Sequence, residues 1–202
     1  MGKSMHRRLA AVMGLAIAVG AAGWALAAGG ADSYVLDPAH TSAAFKIEHL
    51  GISWVSGRFN DVSGKCAIDK ADPAQCTFEV TIKPASIDTN NAKRNEHLCS
   101  KDFFSVKEFP EMTFKSTSVK KAAADDADAV YEVTGDFTMH GVTKPVTFTL
   151  RGGKEAEFPK GSQRIGFFTE FTIKRSDYGM DKMPTAVGDV VKIAVSFEAV
   201  KK

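Results

Sequence analysis

Nucleophile and phosphate-binding signatures are missing from this 202-residue chain. With no G-x-S-x-G, no H-E-x-x-H and no glycine-rich phosphate loop, nothing in it argues for a hydrolase or a nucleotide-dependent enzyme. Cysteine is scarce, and Cys66, Cys76 and Cys99 show neither a C-x-x-C nor an accompanying histidine pattern, which argues against a zinc site. His40, His49, His97 and His140 lie far apart with no i, i+4 pair, so no metal is expected either. An excess of one charge sign is also lacking, and with it the basic stripe of a nucleic-acid binder. The carboxylates scatter over outward-facing positions, as on a solvated strand face. The chain reads as a non-enzyme that requires no cofactor.

The only long apolar run is at the start. Met1 to Arg8 carries Lys3, Arg7 and Arg8 without an acid, and the uncharged stretch from Leu9 to Ala28 ends in Ala25-Leu26-Ala27. A basic start, an apolar middle and an A-x-A site describe a secretory signal peptide over residues 1–27, cut after Ala27 or Ala28. The rival is an uncleaved anchor, since about twenty apolar residues can span a bilayer. The leader holds three of the 26 basic residues and none of the 24 acidic ones, so the remainder sits near −1. Export to the periplasm is expected, with one domain over residues 31–202 that no longer spans a membrane after cleavage.

What is present is alternation. In the stretch from Thr134 to Leu150, Val133, Gly135, Phe137 and Met139 fall on one side, and Thr134, Asp136, Thr138 and His140 on the other. Val146, Phe148 and Leu150 repeat the pattern after a turn over His140-Gly141-Val142-Thr143-Lys144-Pro145, in which Gly141 permits a tight bend and Pro145 is expected at a strand start. Similar segments read as strands from Tyr34 to a stop at Pro38, then over 40–50, 53–68 (one long strand interrupted by a bulge or bend near Asp61-Val62-Ser63-Gly64), 76–83, 112–119, 130–139, 146–151, 165–174 and 190–200. Loops are expected at 120–128 and 152–162. Between Ile87 and Leu98 the period changes, and a short helix starts around Thr89 to Ala92. A second capped turn of helix follows at Ser100 to Phe104. The fold class is all-β, with about eight antiparallel strands and a short helical insertion. Eight strands suit a closed barrel holding one small ligand, with a two-sheet sandwich as the alternative. Small inward residues beside the phenylalanines (Ala43, Gly135, Thr169) favour the barrel, because they leave room.

Thirteen apolar residues sharing the inward phase are the expected lining of that interior: Phe45, Ile47, Phe59, Phe78, Val80, Phe114, Phe137, Met139, Phe148, Phe167, Phe171, Ile193 and Val195. Some of them fill core near a closed end. His49 shares the phase and is either a satisfied core histidine or a head-group contact. Arg94 and His97 lie three apart on one helix face; they either receive a polar head group or tie the helix to the rim. Arg175 is a further head-group candidate, or else a salt-bridge partner of Asp177. Cys66 and Cys76 flank a turn and share the apolar face. They form either a cross-hairpin disulfide or two packed thiols, leaving Cys99 unpaired.

Several blocks together resemble one family. His49-Leu50-Gly51-Ile52-Ser53-Trp54-Val55-Ser56-Gly57-Arg58-Phe59, Ser86-Ile87-Asp88-Thr89 with Arg94-Asn95-Glu96-His97-Leu98, and Asp102-Phe103-Phe104 are similar to signatures of the YceI-like family. So are Phe109-Pro110-Glu111-Met112-Thr113-Phe114, Gly141-Val142-Thr143-Lys144-Pro145-Val146 and Arg175-Ser176-Asp177-Tyr178-Gly179-Met180. The blocks keep the family's order from Tyr34 to about Val200. Two features depart from its pattern: Cys99 stands where a basic residue is common, and Cys66 and Cys76 are extra. The resemblance implies an exported, lipocalin-like extended β-barrel that binds a polyisoprenoid or an isoprenoid quinone, as carrier or scavenger, monomeric or homodimeric. The competing reading is a stress or redox accessory protein with a solid barrel that acts through a protein partner such as a membrane cytochrome.

Overall fold

Alternating strands need a partner on each edge, and here they find it by closing on themselves. The computed structural model describes residues 30–123 and 128–202. The expected signal peptide and the tip of the 120–128 loop lie outside these residues. The strands are β1 (Asp32–His49), β2 (Ser53–Phe59), β3 (Val62–Ile68), β4 (Thr77–Ile82), β5 (Ile87–Asp88), β6 (Met112–Lys121), β7 (Ala129–Met139), β8 (Val142–Glu157), β9 (Gln163–Lys174) and β10 (Val187–Lys201); the helix is α1 (Ala92–Cys99). In the order β1-β3-β4-β6-β7-β8-β9-β10 each strand is antiparallel to the next, and β10 pairs with β1. This is a closed eight-stranded barrel, and the sandwich alternative falls. Short breaks at Asn60–Asp61 and at a 3-10 turn over Pro84–Ser86 separate β2 from β3 and β4 from β5. The detached pieces β2 and β5 extend the sheet beside β1.

Three boundaries differ from the sequence reading, each where the chain bends without ending. β1 runs through Pro38, with a register shift between Leu36 and Thr41. In that bulge the Ala39 N–H donates to the Asp37 carboxylate (3.0 Å) and the Thr41 hydroxyl to the Asp37 carbonyl (2.7 Å). A bulge is where a strand tolerates a residue without an N–H. The β7–β8 turn is only His140-Gly141, with φ of 52° and 74° as a type I′ turn requires. Pro145 therefore lies inside β8, opposite Asp136. That half of β8 is laddered to β7 alone, since β9 joins only from Arg151 onward, so one edge makes no demand on the missing donor. The third difference is the expected 152–162 loop, which is strand as far as Glu157. Gly152 and Gly153, with φ of 102° and 72°, make a register shift against β9, and a Cβ at Gly152 would sit 2.7 Å from the Gly166 carbonyl oxygen. The segment from Ser100 to Phe104 forms hydrogen-bonded turns and not a second piece of helix.

One end of the barrel is packed solid. Tyr34, Leu36, Phe78, Tyr131, Val133, Phe167 and Phe197 belong to one buried cluster there, together with Cys66 and Cys76. The cysteines are free thiols, so the disulfide alternative is corrected. Cys66 faces Phe78 in the β3–β4 ladder, whereas Cys76 precedes β4. Its sulfur accepts from the Asp69 N–H (3.3 Å) and donates to the Asp69 carbonyl (3.4 Å). Burial pushes the Cys66 thiol up to about 12, and also raises Tyr131, which is hydrogen-bonded to Cys76, to about 12. Since the thiolate is the reactive form, iodoacetamide should spare Cys66 and Cys76 in the folded protein. In denaturant without reductant, intact mass should show adducts on all three cysteines; an adduct on Cys99 alone would mean a bridge.

Candidate functional site

Beyond the packed end, inward side chains still touch along the wall, the Phe148 ring lying 5.2 Å from Phe114 and 5.1 Å from Phe171, but they leave a space between them. Phe45, Ile47, Phe59, Val80, Phe114, Phe148, Phe171, Ile193 and Val195 point into the barrel yet are only half-buried. They border a cavity of about 320 Å³, walled almost wholly by apolar side chains. Phe78, Phe137 and Met139 complete its wall, so twelve of the thirteen expected lining residues meet around one space. Phe167 is the correction. Its ring lies 5.9 Å from that of Phe78 and 5.6 Å from that of Phe197, within the packed end. Alternation tells which way a side chain points but not its height along the barrel axis.

The small residues divide as well. Ala43 and Thr169 line the cavity, Thr169 with its hydroxyl donated to the Thr149 carbonyl at 2.7 Å. Gly135 leaves no room: a Cβ there would stand 2.5 Å from both the Phe114 ring and the Lys115 carbonyl oxygen.

Polar groups gather where β1, α1 and the 180–187 segment meet. Helix α1 starts at Asn91, whose side chain accepts from the Arg94 N–H (3.0 Å), the usual N-cap bond. One helix turn then presents Arg94, His97 and Leu98 to the cavity. Arg94 is committed to the helix attachment, its Nε donating to the Thr89 hydroxyl (2.8 Å) and its Nη2 to the Thr89 carbonyl (2.6 Å). His97 Nε2 lies 3.3 Å from the Asp102 carboxylate, and its ring meets Phe103 edge-on at 5.0 Å. Arg175 also reaches the cavity but does not pair with Asp177, as the salt-bridge alternative had it. Its Nε, Nη1 and Nη2 donate to the carbonyls of Gly188 (2.9 Å), Met180 (2.6 Å) and Val187 (2.9 Å). A guanidinium offers a fork of donors that a loop of carbonyls can saturate. Burial lowers the Arg175 pKa, with the charges of Asp189 and Asp181 opposing. His49 differs from the other three. It lines the cavity half-buried, and its imidazole has no hydrogen-bond or ion-pair partner among the described residues, so the ring can meet a ligand.

Val55, Leu98, Phe103, Phe104, Met180 and Met183 also line the cavity. Most of these come from turns and the helix, where no period of two reveals an inward face. Phe104 meets Phe59 edge-on at 5.7 Å and Phe59 lies 5.6 Å from Phe45, so the insertion's aromatic pair continues the barrel wall.

Asp37, His40 and Glu198 bring ligand-type atoms within 4.8 Å of one another. Arg164 already fills that centre, with Nη1 2.6 Å from Asp37 and 3.1 Å from Glu198. Its hydrogen bond, then that of His40, holds the Asp37 carboxyl well below the usual range. None of the four lines the cavity. Among the described residues, no helix is long and apolar enough to cross a membrane.

Comparison with known proteins finds a match to a family model, the YceI-like domain, over residues 34–199. A UPF0312 protein of Pseudomonas putida is 39% identical over 200 residues, covering 98% of this chain and 100% of that relative. The solved YCEI protein of Campylobacter jejuni is 34% identical, with a TM-score of 0.65 over 78% of this chain and 91% of that one. Burkholderia cenocepacia BcnA, 26% identical, gives 0.70 over 81% and 98%. A polyisoprenoid binding domain from Saccharophagus degradans, 17% identical, shares the fold with 0.61 over 84% and 98%.

Proposed function

This chain belongs to the YceI-like family, and from that premise we propose that it is a periplasmic carrier or scavenger for a polyisoprenoid or isoprenoid quinone, and not an enzyme. The observation that carries the reading is the apolar cavity behind a mouth with one uncommitted histidine. The description of the Saccharophagus degradans neighbour as polyisoprenoid-binding supports the same ligand class. A solid barrel acting only through a protein partner would have no use for that internal space.

Size limits what the cavity holds. A cavity of about 150 Å³ takes one benzene ring, so about 320 Å³ takes roughly a dozen carbons, or two to three isoprene units. At ~0.8 kcal/mol per buried carbon those contribute about 10 kcal/mol. That lies inside the ~4–15 kcal/mol that association costs. The tail therefore needs help at the mouth, where the His49 ring N–H can donate to a quinone oxygen or a phosphate oxygen.

Titration in detergent micelles with quinones of increasing tail length tests this. Affinity should rise at least about tenfold per isoprene unit until two to three units are housed, then level off, since each unit contributes up to about 3–4 kcal/mol. Affinity independent of tail length, with no lipid found by mass spectrometry in extracts of fresh protein, would overturn the proposal.

A further inference from the structure

The rim of the cavity carries apolar side chains that the described residues leave exposed. Ile52 is 84% exposed, Leu50 55% and Met183 47%. They form one patch: the Leu50 N–H donates to the Ala186 carbonyl (2.8 Å), and the Ala186 N–H donates to the Met183 carbonyl (3.0 Å). Met183 itself lines the cavity, and His49 immediately precedes Leu50. The patch and the mouth are thus one surface.

Two of these residues occupy backbone positions that do not suit them. Leu50 (φ 55°) and Gly51 (φ 70°) are the centre of the turn closed by the Ile52 N–H to the His49 carbonyl (3.2 Å), and Met183 has φ 56°. Positive φ favours glycine, asparagine or aspartate, and a large apolar residue there is unusual. At both places the unusual choice puts an apolar side chain in water. Beside them, Trp54 is half exposed on the outer face of β2, with Lys192 Nζ 4.6 Å and Lys46 Nζ 5.8 Å from its ring centroid. Lys46 and Lys192 face each other across the β1–β10 ladder, and Glu48 stands opposite Trp54. Tryptophan prefers the headgroup level of a bilayer, lysines nearby attract anionic lipid, and a larger apolar patch marks an interaction surface.

We propose that the β1–β2 tip and the facing 183–186 turn insert into the headgroup region of an anionic bilayer, setting the cavity mouth against the acyl chains. The inference rests on the reading that the cavity's ligand comes from a membrane. A tail then passes from bilayer to cavity past Leu50, Ile52 and Met183 without entering water. A soluble protein partner would not need the mouth and the apolar tip on one surface; a bilayer does.

The test is flotation of the exported protein, its amino terminus read by intact mass, with vesicles of phosphatidylethanolamine and phosphatidylglycerol (7:3). A double variant, Leu50→Asp with Ile52→Asp, removes the apolar tip. Both residues lie outside the cavity lining, and aspartate accepts the left-handed position better than leucine, so the variant should fold. The parent should float and the variant should float at least about tenfold less, while both bind a short-tailed quinone equally in detergent micelles. A parent that binds the quinone but does not float overturns docking and leaves the functional reading intact. One that floats without binding quinone does the reverse. Flotation with native membranes but not with lipid vesicles would assign the patch to a membrane protein, and a dimer dispersed by the variant without vesicle binding would assign it to a second copy. Either result overturns the proposal.

Discussion

Ala43→Phe is expected to reduce quinone affinity by two to three powers of ten while the melting temperature moves by less than about 3 °C. Ala43 is 3% exposed, lines the cavity and faces Val195 and Phe59 across the two ladders of β1. A phenyl ring needs roughly 150 Å³, about half the space available. It therefore displaces about six carbons of tail, and at ~0.8 kcal/mol each that removes about 5 kcal/mol of binding. Discounting for a tail that shifts towards the mouth leaves the stated range. The fold is spared because the ring enters a void. Isothermal titration and thermal unfolding together decide the matter. If instead the melting temperature drops as for an overpacked core, by the equivalent of ~1–3 kcal/mol, and affinity is unchanged, the ligand is elsewhere. Gly135→Leu does not serve as the same test, since its Cβ would already meet a backbone oxygen at 2.5 Å.

The second large effect is on stability. Arg175→Leu is expected to lower the melting temperature by about 10 °C, corresponding to roughly 3–5 kcal/mol in a domain of this size. Three donors of one buried guanidinium hold the carbonyls of Met180, Val187 and Gly188, and so fix the segment that carries the mouth. Leucine leaves those carbonyls without a donor at about 1–3 kcal/mol each, part of which water at the mouth restores. Arg175→Lys should rescue little, because one ammonium cannot reproduce a planar fork. Circular dichroism during heating reads the result. A shift under about 2 °C for Arg175→Leu would mean that the 180–188 segment holds its shape by other contacts.

The closing of the barrel shows why some of this was legible and some was not. Alternation along Val133 to Met139 and Val146 to Leu150 is a local property, imposed by the two-residue period of a strand with one wet face. It is written residue by residue, and the antiparallel pairing of β7 with β8 follows from it, although the turn between them is two residues long and not the six expected. The same period identified the inward phase of β1, β4, β6, β9 and β10, and twelve of the thirteen residues that it selected for the lining do surround one cavity. Pro38, Pro145 and Gly152-Gly153 misled for a local reason too. They forbid or permit backbone geometries, but whether a strand ends or bends there depends on what its neighbours demand of each edge.

By itself, then, the sequence determined the strands, their inward faces and, through its ordered blocks, the family. Tertiary structure alone decided where along the axis packing gives way to space. Phe167 and Phe171 share a strand and a phase, yet Phe167 closes the floor while Phe171 borders the void. It also decided that Cys66 meets Phe78 instead of Cys76, that Arg175 grips a loop's carbonyls instead of Asp177, and that Phe103 and Phe104 join the barrel wall from outside the sheet. The reason is the same in each case. A period of two fixes direction, whereas contact depends on register, on barrel height and on the path of the connections, and those are set by the closure of all eight strands together.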